Sequence, residues 1–465
     1  MPRQPEFLTA PAAGKTPPAT AGPALAVASE VGSRVADPAR VAAAVAAATR
    51  QTAHPASVHW RDHAVGQGHT GLALLFGALD QHDPGRGWDR TAHEHLTLAA
   101  RASEAVGLPP AGLFAGLAGL GLVASCISGD GARYRRLLAT LDQALVVRVP
   151  DLVAGLGGAG PARPAGGPVG LRAREPGGGV AVRDVDLISG LAGVGAYLLL
   201  RRDRPGVEVA LRRVLGSLVD LTGSDEDGPR WRTPPGQLSP DERARYPDGY
   251  LNCGLAHGIP GPLAMLSLAL RAGVDLPGLP DAVARTADWL AAHRSDDPYG
   301  PSWPNAVPLP DAGPSRIAPA RAAWCYGGPG VAATLRQAGD ALGRDGARYR
   351  DLASAALSAA LARPAEVARA GSATFCHGRA GLLAVTSTFA RATGDEGFRR
   401  AAAAMAAELV DRFDPAAPLG YRDREAGGRL VDQPGLLTGA PGVALALLGA
   451  AAPAEPGWAR LFLLA

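Results

Sequence analysis

"GRAGLLAV", residues 378–385, sets two glycines three apart at the mouth of an apolar run, and six other stretches of the chain repeat the pattern. They are "GHTGLALL" from Gly68, "GLAGLGLV" from Gly116, "GLAGVGAYLLL" from Gly190, "GIPGPLAML" from Gly258, "GGPGVAATL" from Gly327 and "GAPGVALALL" from Gly439. One G-x-x-G carries little weight in a chain with 61 glycines, but seven at the same phase define an internal repeat. The intervals, from 48 to 74 residues, hold the helix after the turn, a return and a second helix such as "DAVARTADWLAAH" or "GFRRAAAAMAAELVDRF".

The first helix of each unit is apolar almost all round, as burial on every side requires; the second carries charges at helical spacing, as an outer helix does. Each unit therefore reads as a helical hairpin. Seven hairpins closed in a ring give an all-α chain, an α/α toroid with a double ring of seven inner and seven outer helices and the glycine turns gathered at one end. Glycine suits that end because the backbone must turn tightly and close to its neighbours.

The 465 residues are ample for a large core. A net charge of +3, from 46 basic and 43 acidic residues spread along the chain, calls for no nucleic-acid partner. Cys126, Cys253, Cys325 and Cys376 lie far apart with no secretory leader before them, so a disulfide framework is not expected. The longest uncharged stretch, "LLTGAPGVALALLGAAAPA", is Ala-rich and broken by Gly439, Pro441, Gly442 and Gly449. It reads as a buried helix after a turn, with no integral membrane segment and a cytoplasmic location.

Residues 1–35 read as a disordered Pro/Ala-rich arm, with order beginning at the Asp37-Pro38 helix start. Residues 36–465 read as a single toroid domain with a flexible Gly-rich loop at about 155–180. Insertions before the fourth, fifth and seventh turns hold Pro, Gly and aromatic residues: "PRWRTPPGQLSPDERARYPDGY", "DPYGPSWPNAVPLPDAGPSRI" and "PLGYRDREAGGRLVDQPG". They are expected as short β segments and loops at the rim, walling a substrate cleft.

If the turns converge on one rim, residues beside the glycines share a site. Cys325 in "WCYGGPG" and Cys376 in "FCHGRAG" each stand two residues before their glycine, and His377 stands one before. Two cysteines and a histidine suit Zn2+, and three protein ligands leave one tetrahedral position open, the mark of a catalytic site. Taken singly, buried small cysteines and a capping histidine explain these residues as well; the shared register favours zinc. His257 precedes Gly258 and is either a zinc ligand, a proton donor or a turn cap. Asp186, four before Gly190, is either a helix N-cap or a partner for such a histidine. Arg321, four before Cys325, is either a solvated charge or part of the site, and Tyr326 reads as packing beneath the rim. Cys253, Cys126 and His69 read as structural.

The blocks "NCGLAHGIPGPLAML", "RAAWCYGGPGVAATL" and "FCHGRAGLLAV" resemble the signature blocks of the lanthionine synthetase C-like proteins, the lantibiotic cyclases, over the chain from about residue 40 to its end. The resemblance implies an α/α toroid holding one zinc per chain through Cys325, Cys376 and His377, with His257, Asp186 and Arg321 as catalytic residues. It implies closure of thioether rings by addition of a peptide cysteine thiol to dehydroalanine or dehydrobutyrine. The expected partners are a leader-bearing dehydrated precursor peptide, a separate dehydratase and export machinery, since no dehydratase region precedes the toroid. The expected enzyme is a stand-alone cyclase, peripheral to a membrane only through such a complex. Two rivals are a zinc-dependent prenyltransferase subunit, for which aromatics at 5% of the chain supply a poor cavity, and a non-catalytic zinc-containing peptide- or glutathione-binding scaffold.

Overall fold

The computed structural model describes residues 21–54, 58–129, 131–156, 178–310, 320–425 and 427–465. The chain divides into two compact units, one of Met1–Gly107, Gly119–Leu138 and Ala370–Ala465, the other of Leu108–Ala118 and Ala139–Arg369. The two helices of the second hairpin, Leu117–Cys126 and Arg135–Leu156, each contain one of the points where the chain passes between units.

All seven expected inner helices form: His69–His82, Leu117–Cys126, Leu191–Leu200, Pro260–Arg271, Gly328–Ala341, Arg379–Thr393 and Ala440–Ala451. Each starts within two residues of its repeat glycine. The third is buried at every position from Leu191 to Leu199, including Gly193 and Gly195. By contrast, the outer helix Val207–Leu221 buries only Val207, Ala210, Leu211, Val214, Leu215, Leu218 and Leu221, one stripe at 3.6-residue spacing.

The arm expected over residues 1–35 is corrected by a helix, Ala21–Val35. Ala24, Ala28, Val31 and Val35 recur at four-, three- and four-residue steps and are buried. This helix packs against the last inner helix, Ala440–Ala451. The physical reason is that buried stripe: it covers a flank of Ala440–Ala451, which is buried at every position from Ala440 to Gly449. Arg34 fastens the helix by donating to the carbonyls of Ala417 (2.6 Å) and Pro415 (3.3 Å). The next helix begins as the sequence reads: Asp37 caps Pro38–Gln51 by accepting from the Ala39 amide at 2.8 Å. Residues 1–20 and most of the Gly-rich stretch, 157–177, lie outside the described residues.

The segment before each turn runs back across the start of the inner helix, which explains both glycines. A Cβ at Gly439, the first of its pair, would lie 1.9 Å from the Gln433 carbonyl oxygen; one at Gly442, the second, would lie 2.0 Å from that of Leu436. Neither contact is sterically possible, so only hydrogen fits. Gly442→Ala is expected to destabilise the protein by about 2–4 kcal/mol, whereas Gly216→Ala, in an outer helix with nothing within 4 Å, should stabilise it by about 0.4–1 kcal/mol. Denaturant unfolding of the two variants checks the contrast.

Backbone hydrogen bonds stitch neighbouring turns within each unit, mostly through the residue two before the repeat glycine. In the second unit Phe114 N–H donates to Ile188 (2.9 Å), Leu187 to Ala256 (3.3 Å) and Ala256 to Cys325 (3.2 Å). In the first unit Cys376 N–H donates to Leu437 (2.8 Å), and Leu437 to Gly66 (3.0 Å). The insertions form small antiparallel pairs: Tyr250–Asn252 with Ala306–Pro308, Ser295–Asp297 with Gly300–Ser302, and Asp423–Arg424 with Leu430–Val431. The insertions before the fourth and fifth turns thus pair with each other.

Candidate functional site

Asp186 performs both roles that the sequence leaves open. It follows the one-turn helix Val182–Val185 and is 1% exposed. Its Oδ1 accepts from the amides of Ser189 (2.8 Å) and Gly190 (2.9 Å), capping the entry to Leu191–Leu200. Its Oδ2 is left for His257, whose Nδ1 lies 2.7 Å away. The cap fixes the carboxylate, and the carboxylate fixes the imidazole. Since the buried acid accepts at Nδ1, Nε2 is the nitrogen left to work elsewhere, on a side chain that is 42% exposed.

Burial disfavours charge on His257, but the hydrogen bond and negative charge of Asp186 outweigh it, with Cys325 and Glu242 adding in the same sense. The imidazole pKa is therefore raised, and the ring holds a proton to higher pH than an ordinary histidine. The linkage to stability follows from that direction: the contribution of the imidazolium is complete below the unfolded value of about 6.5 and is lost as pH rises through the higher folded value. Asp186→Asn keeps a good capping side chain and removes the charge. The His257 titration midpoint, followed by imidazole NMR, should fall in that variant; an unmoved midpoint would mean that the carboxylate does not set it.

Around this pair the second unit places groups that sequence reading undervalued. Asn252, at the end of its strand, accepts from the Gly254 amide (2.9 Å) through Oδ1 and donates through Nδ2 to the Tyr326 hydroxyl (3.1 Å). The Tyr326 ring lies against the same turn: a Cβ at Gly254 would stand 2.5 Å from Tyr326 Cε1. Tyr326 and His257 have ring centroids 6.4 Å apart, and burial raises the Tyr326 pKa, so the phenol keeps its proton. Glu242 accepts from the Tyr250 hydroxyl at 3.2 Å. Only the "NCG" string beside the glycine turn signals any of this; Glu242 sits inside an insertion with no repeat register.

Cys325 is buried, and its carbonyl accepts from Ala256 one residue before His257. Arg321 is exposed. Its main-chain oxygen contacts the turn, accepting from Ala323 N–H at 3.0 Å and filling the place where a Cβ at Gly327 would stand. Among the described residues its guanidinium makes no ion pair.

In the first unit, Cys376 and His377 precede the inner helix Arg379–Thr393. The His377 Nε2 lies 3.3 Å from Asp423 Oδ1, and that oxygen also accepts from the Ser372 hydroxyl at 2.8 Å. The three residues read as zinc ligands thus belong to separate units, Cys325 to one and Cys376 with His377 to the other. Among the described residues no group of three or more His, Cys, Asp or Glu side chains is arranged to hold a metal ion. By residue type the donors suit Zn2+: two thiols of the same turn register and one imidazole are soft to borderline ligands.

The remaining candidates are structural. Cys253 is wholly buried, with its thiol 3.6 Å from the Leu251 carbonyl, and burial pushes the Cys126 thiol up to about 12. None of the four cysteines forms a disulfide. His69 Nδ1 meets His95 Nδ1 at 2.9 Å, and burial lowers both pKa values, holding the two rings neutral as packing groups.

A family model described as "lanthionine synthetase C-like protein" matches residues 59–463. Nisin biosynthesis protein NisC of Lactococcus lactis subsp. lactis is 25% identical over 327 residues, which cover 69% of this chain and 72% of that protein. A solved structure of nisin cyclase superposes with a TM-score of 0.72 at 21% identity, covering 87% of this chain and 93% of that one. This likeness shows the fold expected from the seven turns, an α/α toroid with short strands in its insertions.

Proposed function

Because the chain belongs to the lanthionine synthetase C-like family, we propose that it is a zinc-dependent peptide cyclase of lanthipeptide biosynthesis. It closes lanthionine and methyllanthionine rings by adding a peptide cysteine thiol to dehydroalanine or dehydrobutyrine. The observation that carries this reading is the His257–Asp186 pair at 2.7 Å, with the imidazole pKa raised and Cys325 contributing to its electrostatic surroundings.

Cys325, Cys376 and His377 would hold one Zn2+. When bound, the metal supplies the chemistry a neutral thiol lacks, deprotonating the peptide cysteine and keeping its sulfur nucleophilic; a free thiol, with pKa about 8.5, is only a few per cent thiolate at pH 7. Addition to the β-carbon leaves negative charge on the carbonyl oxygen and calls for a proton at the α-carbon. His257 delivers that proton from Nε2, since Nδ1 is committed to Asp186. Asp186 orients the ring and makes it hold its proton to higher pH than an ordinary histidine does. Tyr326, held by Asn252, keeps its phenolic proton and is available to hydrogen-bond a developing oxyanion. Arg321, exposed at the same turn, is assigned an electrostatic role toward the peptide.

The substrate is a dehydrated precursor peptide bearing a leader, supplied by a separate dehydratase and passed to export machinery, with the cyclase acting in the cytoplasm. No helix among the described residues is long and apolar enough to cross a membrane. The decisive experiment is incubation of the zinc-loaded protein with a dehydrated cysteine-containing peptide, counting free thiols and thioether rings by mass spectrometry after alkylation. Ring formation supports the cyclase. Zinc binding and peptide binding without turnover would support the non-catalytic scaffold instead.

A further inference from the structure

The insertion before the seventh turn reaches the turn that carries His377. Its short strand Asp423–Arg424, paired antiparallel with Leu430–Val431, brings a carboxylate from 46 residues downstream to the imidazole of His377. Asp423 is 4% exposed, an unusual place for a carboxylate unless its oxygens are used. Ser372 Oγ donates to Oδ1 at 2.8 Å, and His377 Nε2 stands at ion-pair distance, 3.3 Å, from the same oxygen. Ser372 is itself fixed, with its hydroxyl 3.0 Å from Thr374 Oγ1 and accepting from the Thr374 amide at 3.2 Å. Ser372 and Thr374 flank the same turn, so the chain before Cys376 and the rim insertion clamp one oxygen from two sides.

We propose that Asp423, steadied by Ser372, is the positioning residue for the His377 ligand. A carboxylate facing Nε2 makes that nitrogen the protonated one, and the lone pair of the neutral ring then resides on Nδ1. A histidine ligand must offer one bare nitrogen in a fixed direction, and an anionic partner on the other nitrogen selects the tautomer and orients the ring. The inference rests on His377 being a zinc ligand, as proposed above. It adds that the seventh-turn insertion is part of the metal centre.

The test compares zinc affinity, by competition with a chromophoric chelator, in the full-length wild type, Asp423→Ala, Asp423→Asn, Ser372→Ala and Asp432→Asn. Asp432 is a control: it lies in the same insertion, is 5% exposed, and holds Arg422 Nε at 3.0 Å without contacting His377. Asp423→Ala should weaken zinc binding by about 10–100-fold. Asp423→Asn and Ser372→Ala should lose less, and Asp432→Asn should leave affinity unchanged even if it lowers Tm. In the metal-free wild type, 15N-edited NMR of the His377 ring should show the proton on Nε2, and that preference should vanish in Asp423→Ala. Wild-type affinity in a folded Asp423→Ala, or an equal loss in Asp432→Asn, would overturn the positioning role while leaving the zinc site standing. A wild type that binds no zinc would instead overturn the ligand set itself. Should Asp423→Ala fail to fold, Asp423→Asn and the wild-type tautomer decide alone: undiminished affinity or a proton on Nδ1 counts against the proposal.

Discussion

Replacing His257 with alanine is expected to slow thioether ring closure by about 10²–10⁴-fold, the usual range for loss of a positioned proton donor, while zinc content and thermal stability stay near those of the wild type. The expectation follows from where the side chain sits. It is 42% exposed and carries little of the core, so truncation should not unfold the chain. Its one strong tie is to Asp186, whose other oxygen continues to cap Leu191–Leu200 in the variant. The loss should appear in kcat more than in KM, because the proton is needed as charge develops at the α-carbon. Peptide binding does not require it. In the wild type, activity should fall on the alkaline side as His257 loses its proton. Asp186→Asn, which lowers the imidazole pKa, should bring that alkaline limb to lower pH. Loss of zinc in the His257 variant would refute the proton-donor role and make the residue a ligand. Unchanged ring closure would refute both.

Cys376→Ala is the second variant from which a near-total effect is expected: metal content should fall from about one zinc per chain toward none, and ring closure should cease. Two thiolates and an imidazole bind zinc as a set, and removing one leaves too few donors to compete with water and buffer. Cys325→Ala should behave alike despite lying in the other compact unit. Cys253→Ala and Cys126→Ala should retain the metal. Cys253 is wholly enclosed, and the raised pKa of Cys126 keeps it a neutral thiol, a poor ligand. Metal analysis of the four variants therefore separates a specific ligand set from adventitious binding to exposed thiols. A metal-free wild type, active or not, would end the zinc mechanism.

The repeat makes the architecture legible in the sequence itself. Seven glycine pairs at one phase marked the seven inner helices, because the chain doubles back against each helix start so closely that a Cβ would strike a carbonyl, as at Gly439 and Gly442. A steric demand that severe leaves a residue-type signature. The same register marked Cys325, Cys376, His377 and His257 as neighbours of turns, and the spacing of Asp186 before Gly190 announced a cap.

What the sequence could not carry were contacts made across long separations by residues outside the register. The helix Ala21–Val35 reads as a disordered arm because its small side chains give a faint pattern; its place becomes evident only from its packing on the last inner helix, Ala440–Ala451, far away in the chain. That Asp186 uses one oxygen for the cap and the other for His257, 71 residues away, depends on where the turns meet. Asn252 reaching Tyr326 and Asp423 reaching His377 arise from insertions whose short strands have no periodicity to read. By itself the sequence determined the helical repeat, its buried and exposed faces and the residue types offered at the turns, since these follow from local sterics and burial. Tertiary structure alone decided which carboxylate faces which imidazole, because a hydrogen bond depends on positions to a few tenths of an ångström that no local pattern encodes.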